Sequence, residues 1–168
     1  HPHLEARGAL VDYAHPKLGG VKSLAPPIRR VEAPRGPRRG APLLGEDSAR
    51  GVRGFAPRSV SASHAGMAWR EPVRADRAAA LPLEGLRVAN FGWGLVGPTA
   101  GQLLAFLGAD VYKIESRARP DIQRTIPPFY AGIPDPDRSI QNHAFWAGNR
   151  SVTLNLKTEA GRTLAGEL

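Results

Sequence analysis

The stretch Leu86–Glu115, LRVANFGWGLVGPTAGQLLAFLGADVYKIE, decides the fold. Leu86–Phe91 is a short run with several apolar residues that stops at a glycine-rich turn, as a buried parallel strand does. From Pro98 the period becomes helical. Ala100, Leu103, Leu104 and Leu107 fall at i, i+3, i+4 and i+7 and predict an apolar stripe laid on a sheet. Pro98 suits the first helical turn, where a missing N–H costs nothing, and Gly108 suits the left-handed residue just past the end. Asp110–Ile114 reads as a second strand. Strand, helix and strand within about thirty residues make a right-handed crossover, so the sheet is expected to be parallel.

Inside that unit, Gly92-Trp93-Gly94-Leu95-Val96-Gly97 fits G-x-G-x-x-G, and Glu115 closes the second strand about twenty residues on, as in a dinucleotide-binding fingerprint. Glycines let a backbone approach a phosphate, and a helix N-terminus offers free N–H groups and a positive dipole end. On these residues alone two readings stand. One is an NAD(P)-binding domain with Glu115 on a ribose hydroxyl; the other is a plain strand-to-helix turn in a different α/β protein.

Downstream, Ser116–Ser139 contains Pro120, Pro127, Pro128, Pro134 and Pro136, which exclude long regular elements. Loops of that length often carry function. Ser139 is expected to cap a short helix that ends at Gly148. Arg150–Leu156 alternates Val152, Leu154 and Leu156 with Ser151, Thr153 and Asn155, predicting a third strand. Thr158 then caps a last helix with Glu159 in its first turn. Upstream, residues 48–80 show no sustained period and read as a flexible linker. His1–Asp47 reads as loop-rich, with a helical turn closed by Gly8, a short strand at Ala9–Tyr13 and a turn over His15–Gly20. The fold class is therefore α/β: a partial, Rossmann-like parallel unit over 81–168, preceded by an irregular segment and a linker.

The formal charge of +8 is uneven: residues 1–80 hold 14 Lys and Arg against 7 Asp and Glu, whereas 81–168 hold 9 against 8. The basic excess lies in Pro/Gly/Arg-rich sequence around Arg29-Arg30 and Arg38-Arg39. It lacks interleaved aromatics for stacking, so no nucleic-acid partner is expected. There is no cysteine, which removes disulfides and thiolate metal sites and points to a cytoplasmic setting. His1, His3 and His15 do not stand at metal-ligand spacing, and no metal is expected. No apolar run is long enough to cross a membrane. The chain opens on His1, and its last helix runs to Leu168, as expected of a piece of a longer protein.

The wording of three blocks adds a resemblance. LPLEGLRVANFG (81–92), GPTAGQLLAFLGADVYKIES (97–116) and GNRSVTLNLKTEAGRTL (148–164) resemble, in family order, the start of the family III CoA-transferases. That group includes the formyl-CoA and carnitine CoA-transferases and α-methylacyl-CoA racemase. Gly97-Pro98 and Lys113-Ile114-Glu115 are typical of it; the first two glycines of the fingerprint are not required, which makes the NAD reading a decoy. HPHLEARGALVDYAHPKLGG (1–20) and APLLGED (41–47) resemble the C-terminal end of the same family. A C-terminus standing before an N-terminus implies the junction of two tandem repeats joined by the 48–80 linker, or else a circular permutation. The resemblance further implies acyl-CoA and carboxylic acid substrates, and protomers interlocked as a homodimer or as an intramolecular pseudo-dimer. In such a fusion, 1–47 and 81–168 need not pack on each other.

The family's catalytic aspartate lies beyond this chain. Asp121, Asp135 and Asp137 do not match it, so no catalytic residue is assigned and the chain alone is expected to be inactive. The resemblance places coenzyme A contacts at Gly94, Leu95, Val96 and Gly97, with Leu95 standing where formyl-CoA transferase has Gln. Ser116 or its neighbour Arg117 takes the place of an arginine near the nucleotide, and Leu154 takes that of a leucine on the adenine side. Asp121 and Arg124 match a "GD-x-x-R" phrase, read as an ion pair or as ligand contacts.

Overall fold

The structure is a computed structural model that describes residues 1–27, 37–51 and 81–168. From residue 52 onward, the expected linker lies outside the described residues. In chain order the elements are α1 (Pro2–Ala6), β1 (Leu10–His15), β2 (Gly19–Leu24), α2 (Ser48–Gly51), β3 (Arg87–Asn90), α3 (Val96–Phe106), β4 (Asp110–Glu115), α4 (Ile122–Thr125), α5 (Ile140–Trp146), β5 (Arg150–Thr153) and α6 (Glu159–Glu167). β3, β4 and β5 form a three-stranded parallel sheet in that order, with Arg87 opposite Asp110 and Tyr112 opposite Arg150. The crossover expected from the glycine turn and the helical period is present. Gly108 has φ +106°, as the helix end requires.

The face that α3 buries differs from the expected stripe. Pro98, Gly101 and Ala105 are buried, Ala100 is exposed, and Leu103, Leu104 and Leu107 are only half-buried. Small residues decide this, because the helix lies against the sheet so closely that a Cβ on Gly101 would meet the Asn90 side chain. Leu104 then closes the margin of a core made by Ala105, Ala109 and Val111, while Leu103 turns toward the N-terminal segment. On the sheet's other side Ile114, Val152 and Leu154 pack beneath Tyr112, Leu164 and Ala165, which is what α6 covers.

The third strand ends at Thr153, not Leu156. Leu154 N–H still donates to Glu115 O at 2.9 Å, but Asn155 then turns the chain, accepting from Thr158 N–H at 3.0 Å and leaving Leu156 exposed. Thr158 caps α6 as expected, its hydroxyl accepting from Gly161 N–H. Ser139 precedes α5 but makes no side-chain cap; its hydroxyl donates instead to Ile126 O at 2.9 Å.

The described residues of the segment before the linker hold more regular structure than its composition implies. β1 and β2 form an antiparallel hairpin around the expected turn. It also packs on the α/β unit, contrary to the expectation that the two need not meet. The ring of His15 lies edge-on to that of His143, with centroids 4.5 Å apart, and Lys17 Nζ is 2.7 Å from Asp137. Residues 45–48 run along the outer edge of β5. Ser151 N–H donates to an Asp47 carboxylate oxygen at 3.0 Å, Asp47 N–H to Ser151 O at 2.9 Å, and Thr153 N–H to Ser48 Oγ at 3.0 Å. Side-chain oxygens thus satisfy edge groups that a fourth strand would otherwise take.

Candidate functional site

All three parallel strands deliver their carboxyl ends to one side of the sheet, where open α/β folds place their ligands. A cavity of about 1190 Å³ opens there. Trp93 enters it from the loop after β3, Ser116, Arg117 and Arg119 from the loop after β4, and Leu154 and Lys157 from the turn after β5. Arg117, Arg119 and Lys157 are exposed cations at its rim, and the Arg119 guanidinium lies 4.8 Å over the Trp93 ring. Leu154 is 9% exposed and supplies an apolar floor. The pocket therefore pairs an apolar, aromatic wall with positive charge, a combination suited to a nucleotide carrying phosphates.

Glu115 borders the same cavity but is already engaged. It accepts from Arg124 Nε at 3.0 Å and Nη2 at 2.8 Å, and from Ser151 Oγ at 3.0 Å, with its side chain 2% exposed. A carboxylate so paired has no free oxygen for a ribose, which removes the central contact of the NAD reading. The glycines have a packing role instead. Gly92 and Gly97 lie backbone against backbone, so that a Cβ on either would strike the other. Asn90 pins the turn, accepting from Gly92 N–H at 2.8 Å and donating to Gly97 O at 2.9 Å. Gly97→Ala is expected to destabilise the chain by about 1 kcal/mol, the overpacking cost outweighing the gain in helix propensity. Urea denaturation reads it, and unchanged or increased stability would contradict the close contact.

The residues expected at the site are only partly brought together. Ser116, Arg117 and Leu154 share the cavity. Gly94, Leu95, Val96 and Gly97 lie beside it without lining it, and Leu95 and Val96 are 55% and 81% exposed. Trp93, Arg119 and Lys157 were not expected there. Trp93 was legible as the bulky residue inside a glycine turn, whereas Lys157 is brought in only because β5 ends early.

The "GD-x-x-R" residues do not pair with each other. Asp121 accepts from Lys113 Nζ at 2.6 Å, while Arg124 bonds Glu115, Asp137 and the carbonyl of Pro42. Lys113 also lies 3.5 Å from the Trp146 ring centroid, and burial lowers its pKa against the pull of Glu115 and Asp121. Both Asp121 and Arg124 are fully buried, and their ion pairs order the loop. Among the described residues no group of three or more His, Asp or Glu is arranged to hold a metal ion. No described helix is long and apolar enough to cross a membrane.

The model of CoA-transferase family III matches residues 83–168, just over half of the chain. The chain belongs to that family. A succinate–glutarate CoA-transferase of Agrobacterium fabrum is 40% identical over 89 residues, covering 52% of this chain and 22% of the relative. A formyl-CoA:oxalate CoA-transferase of Streptomyces avermitilis is 43% identical over 86 residues, 51% of this chain and 20% of the relative. A solved CAIB/BAIF family protein from Brucella suis is 41% identical, with a TM-score of 0.43, covering 50% of this chain and 22% of that one. The chain thus spans about a fifth of the length of the curated relatives it matches. The matched region contains the whole parallel unit and the cavity.

Proposed function

We propose that this chain carries the coenzyme-binding part of an enzyme that moves CoA between carboxylic acids, and that the cavity at the strand ends takes the nucleotide of coenzyme A. The observation that carries this reading is the rim of Arg117, Arg119 and Lys157 around an apolar floor, inside the region matched by the family. Coenzyme A bears a pyrophosphate and a ribose phosphate, which call for several cations, and an adenine, which calls for Trp93 and Leu154. Ser116 adds a hydroxyl beside Arg117. Gly94–Gly97 would contact the coenzyme only if its pantetheine arm leaves along that loop.

Asp121 and Asp137 are both committed to buried ion pairs and Asp135 pairs with Lys17, which supports a transfer step carried by a carboxylate other than these three. The substrates would be an acyl-CoA and a free carboxylic acid, in a cytoplasmic protein. The order of the two family-like segments fits a tandem fusion or a circular permutation, and the linker between them, residues 48–80, favours the fusion, whose repeats would supply the interlocked pair within one polypeptide.

Titration of the chain with coenzyme A, dephospho-coenzyme A and NAD by calorimetry tests the site. Coenzyme A should bind more tightly than its dephospho form, and NAD should not bind. Arg117→Ala and Lys157→Ala should each weaken coenzyme A by about 3- to 10-fold, with a reduced salt dependence, as expected for exposed phosphate contacts. NAD binding tighter than that of coenzyme A would instead restore the dinucleotide reading.

A further inference from the structure

The two walls of the cavity come from different loops, and one buried side chain joins them. Gln123, in α4, is 5% exposed. Its amide Nε2 donates to Gly94 O at 3.0 Å, across the gap between the loop after β4 and the glycine loop. Gly94 has φ +76° and nothing within 4 Å of where a Cβ would stand, so its own packing does little to hold it. The neighbouring Leu95 and Val96 are exposed. The far side of the link is rigid. Gln123 N–H donates to Asp121 Oδ1 at 2.9 Å, and the other Asp121 oxygen accepts from Lys113 at 2.6 Å in the centre of the sheet. Next along α4, Arg124 is fixed to Glu115 and Asp137. A rigid anchor thus reaches the middle of a loop whose ends Asn90 pins at Gly92 and Gly97.

We propose that Gln123 is a positioning residue for the pocket: a latch that holds the glycine loop, and with it Trp93, against the wall formed by Ser116–Arg119. Its effect on ligand rests on the coenzyme reading above, but its effect on the loop does not. Among the described residues the Oε1 atom of Gln123 is buried without a hydrogen-bond partner, so the side chain's only polar link to them is the one to Gly94. A side chain retained for packing alone would be as well served by an apolar residue of the same length, which would not bury that oxygen.

Hydrogen exchange on the whole chain, with and without coenzyme A, tests this through Gln123→Met and Gln123→Glu. Met keeps the length and cannot donate. Loss of one neutral hydrogen bond should speed exchange at the hydrogen-bonded amides of Gly92 and Thr99, which bracket the loop, by about 2- to 10-fold and weaken coenzyme A by a similar factor. Lys113–Glu115 should keep their protection. Ionised Glu should loosen the same loop, and protonation at low pH should restore a donor and the protection, a reversal that a packing role would not produce. Unchanged exchange at Gly92 and Thr99 in both variants overturns the latch, as does equal acceleration at Lys113–Glu115. Equal coenzyme affinity with and without the amide also overturns it. If the unaltered chain fails to bind coenzyme A while the loop responds as described, the coenzyme reading falls and the latch stands.

Discussion

Arg124→Met is expected to lower the unfolding free energy by about 3 to 5 kcal/mol, the usual consequence of removing one partner from a buried ion pair. The guanidinium is fully buried and bonds three separate parts of the chain. It donates to Glu115 on the central strand, to Asp137 at 3.0 Å in the long loop, and to Pro42 O at 3.1 Å in the N-terminal segment. Asp137 would retain Lys17 and the N–H of Leu44, both at 2.7 Å. Among the described residues Glu115 would keep only Ser151 Oγ at 3.0 Å, the N–H of Asp121 at 3.4 Å and the distant Lys113 at 3.9 Å. The deficit therefore falls on Glu115, and Arg124→Met with Glu115→Leu should recover much of the loss, because an apolar pair leaves no unpaired charge behind. Urea denaturation of the single and double variants reads both values. A single-variant loss below about 1 kcal/mol would mean that water reaches Glu115 and that the frame is not buried as described.

This frame was the least legible part of the sequence. Glu115 and Arg124 each stood out alone, one as a candidate ribose ligand and the other as part of a motif. Nothing in their spacing says that they bond each other across the loop. Asp121 invited pairing with Arg124, three residues away, but α4 turns it toward Lys113. Local features were read more accurately. The crossover, the left-handed Gly108 and the Thr158 cap follow from short-range rules of backbone geometry, and all are present. The helix face was misread because the stripe was sought in leucines, while close packing selects for small residues at Gly101 and Ala105. The docking of 37–51 had no signal in the residue pattern, since side-chain oxygens of Asp47 and Ser48 make an edge pairing without a strand period. Of the cavity, the cationic rim was half visible: Arg117 followed from the resemblance, and Lys157 required knowing where β5 stops.

Acidification should loosen the joint between the hairpin and the α/β unit, at a cost on the order of 2 kcal/mol between about pH 6.5 and pH 4. His15 on β1 and His143 on α5 meet ring to ring, His143 Nε2 bonding Asp137 O at 3.0 Å. Burial, reinforced by the neighbouring His15, lowers the pKa of His143 from 6.5 to about 4. Burial also lowers that of His15, against the opposing pull of Asp137 and Glu46 and alongside the repulsion of Lys17 and Arg124. Both rings are therefore neutral when docked, at pH values where the unfolded chain already binds a proton on each. In that window the unfolded state takes up more protons than the folded one, so stability rises with pH. It is fully present above the unfolded value of 6.5, falls as the pH drops toward about 4, and loses no more on His143's account below that. Carboxylates titrate over part of the same range, so the comparison has to be made between variants. His143→Gln keeps a donor for Asp137 O and removes the titration. Its stability difference between pH 7.5 and pH 4.5, measured by urea denaturation, should be smaller than that of the unaltered chain. Exchange at β1 should accelerate in acid more than exchange at β4, because the charge that forms sits at the joint. An unchanged pH slope in His143→Gln would show that the histidine pair is not what responds to acid, and that the hairpin is held there by Lys17 and its aspartates alone.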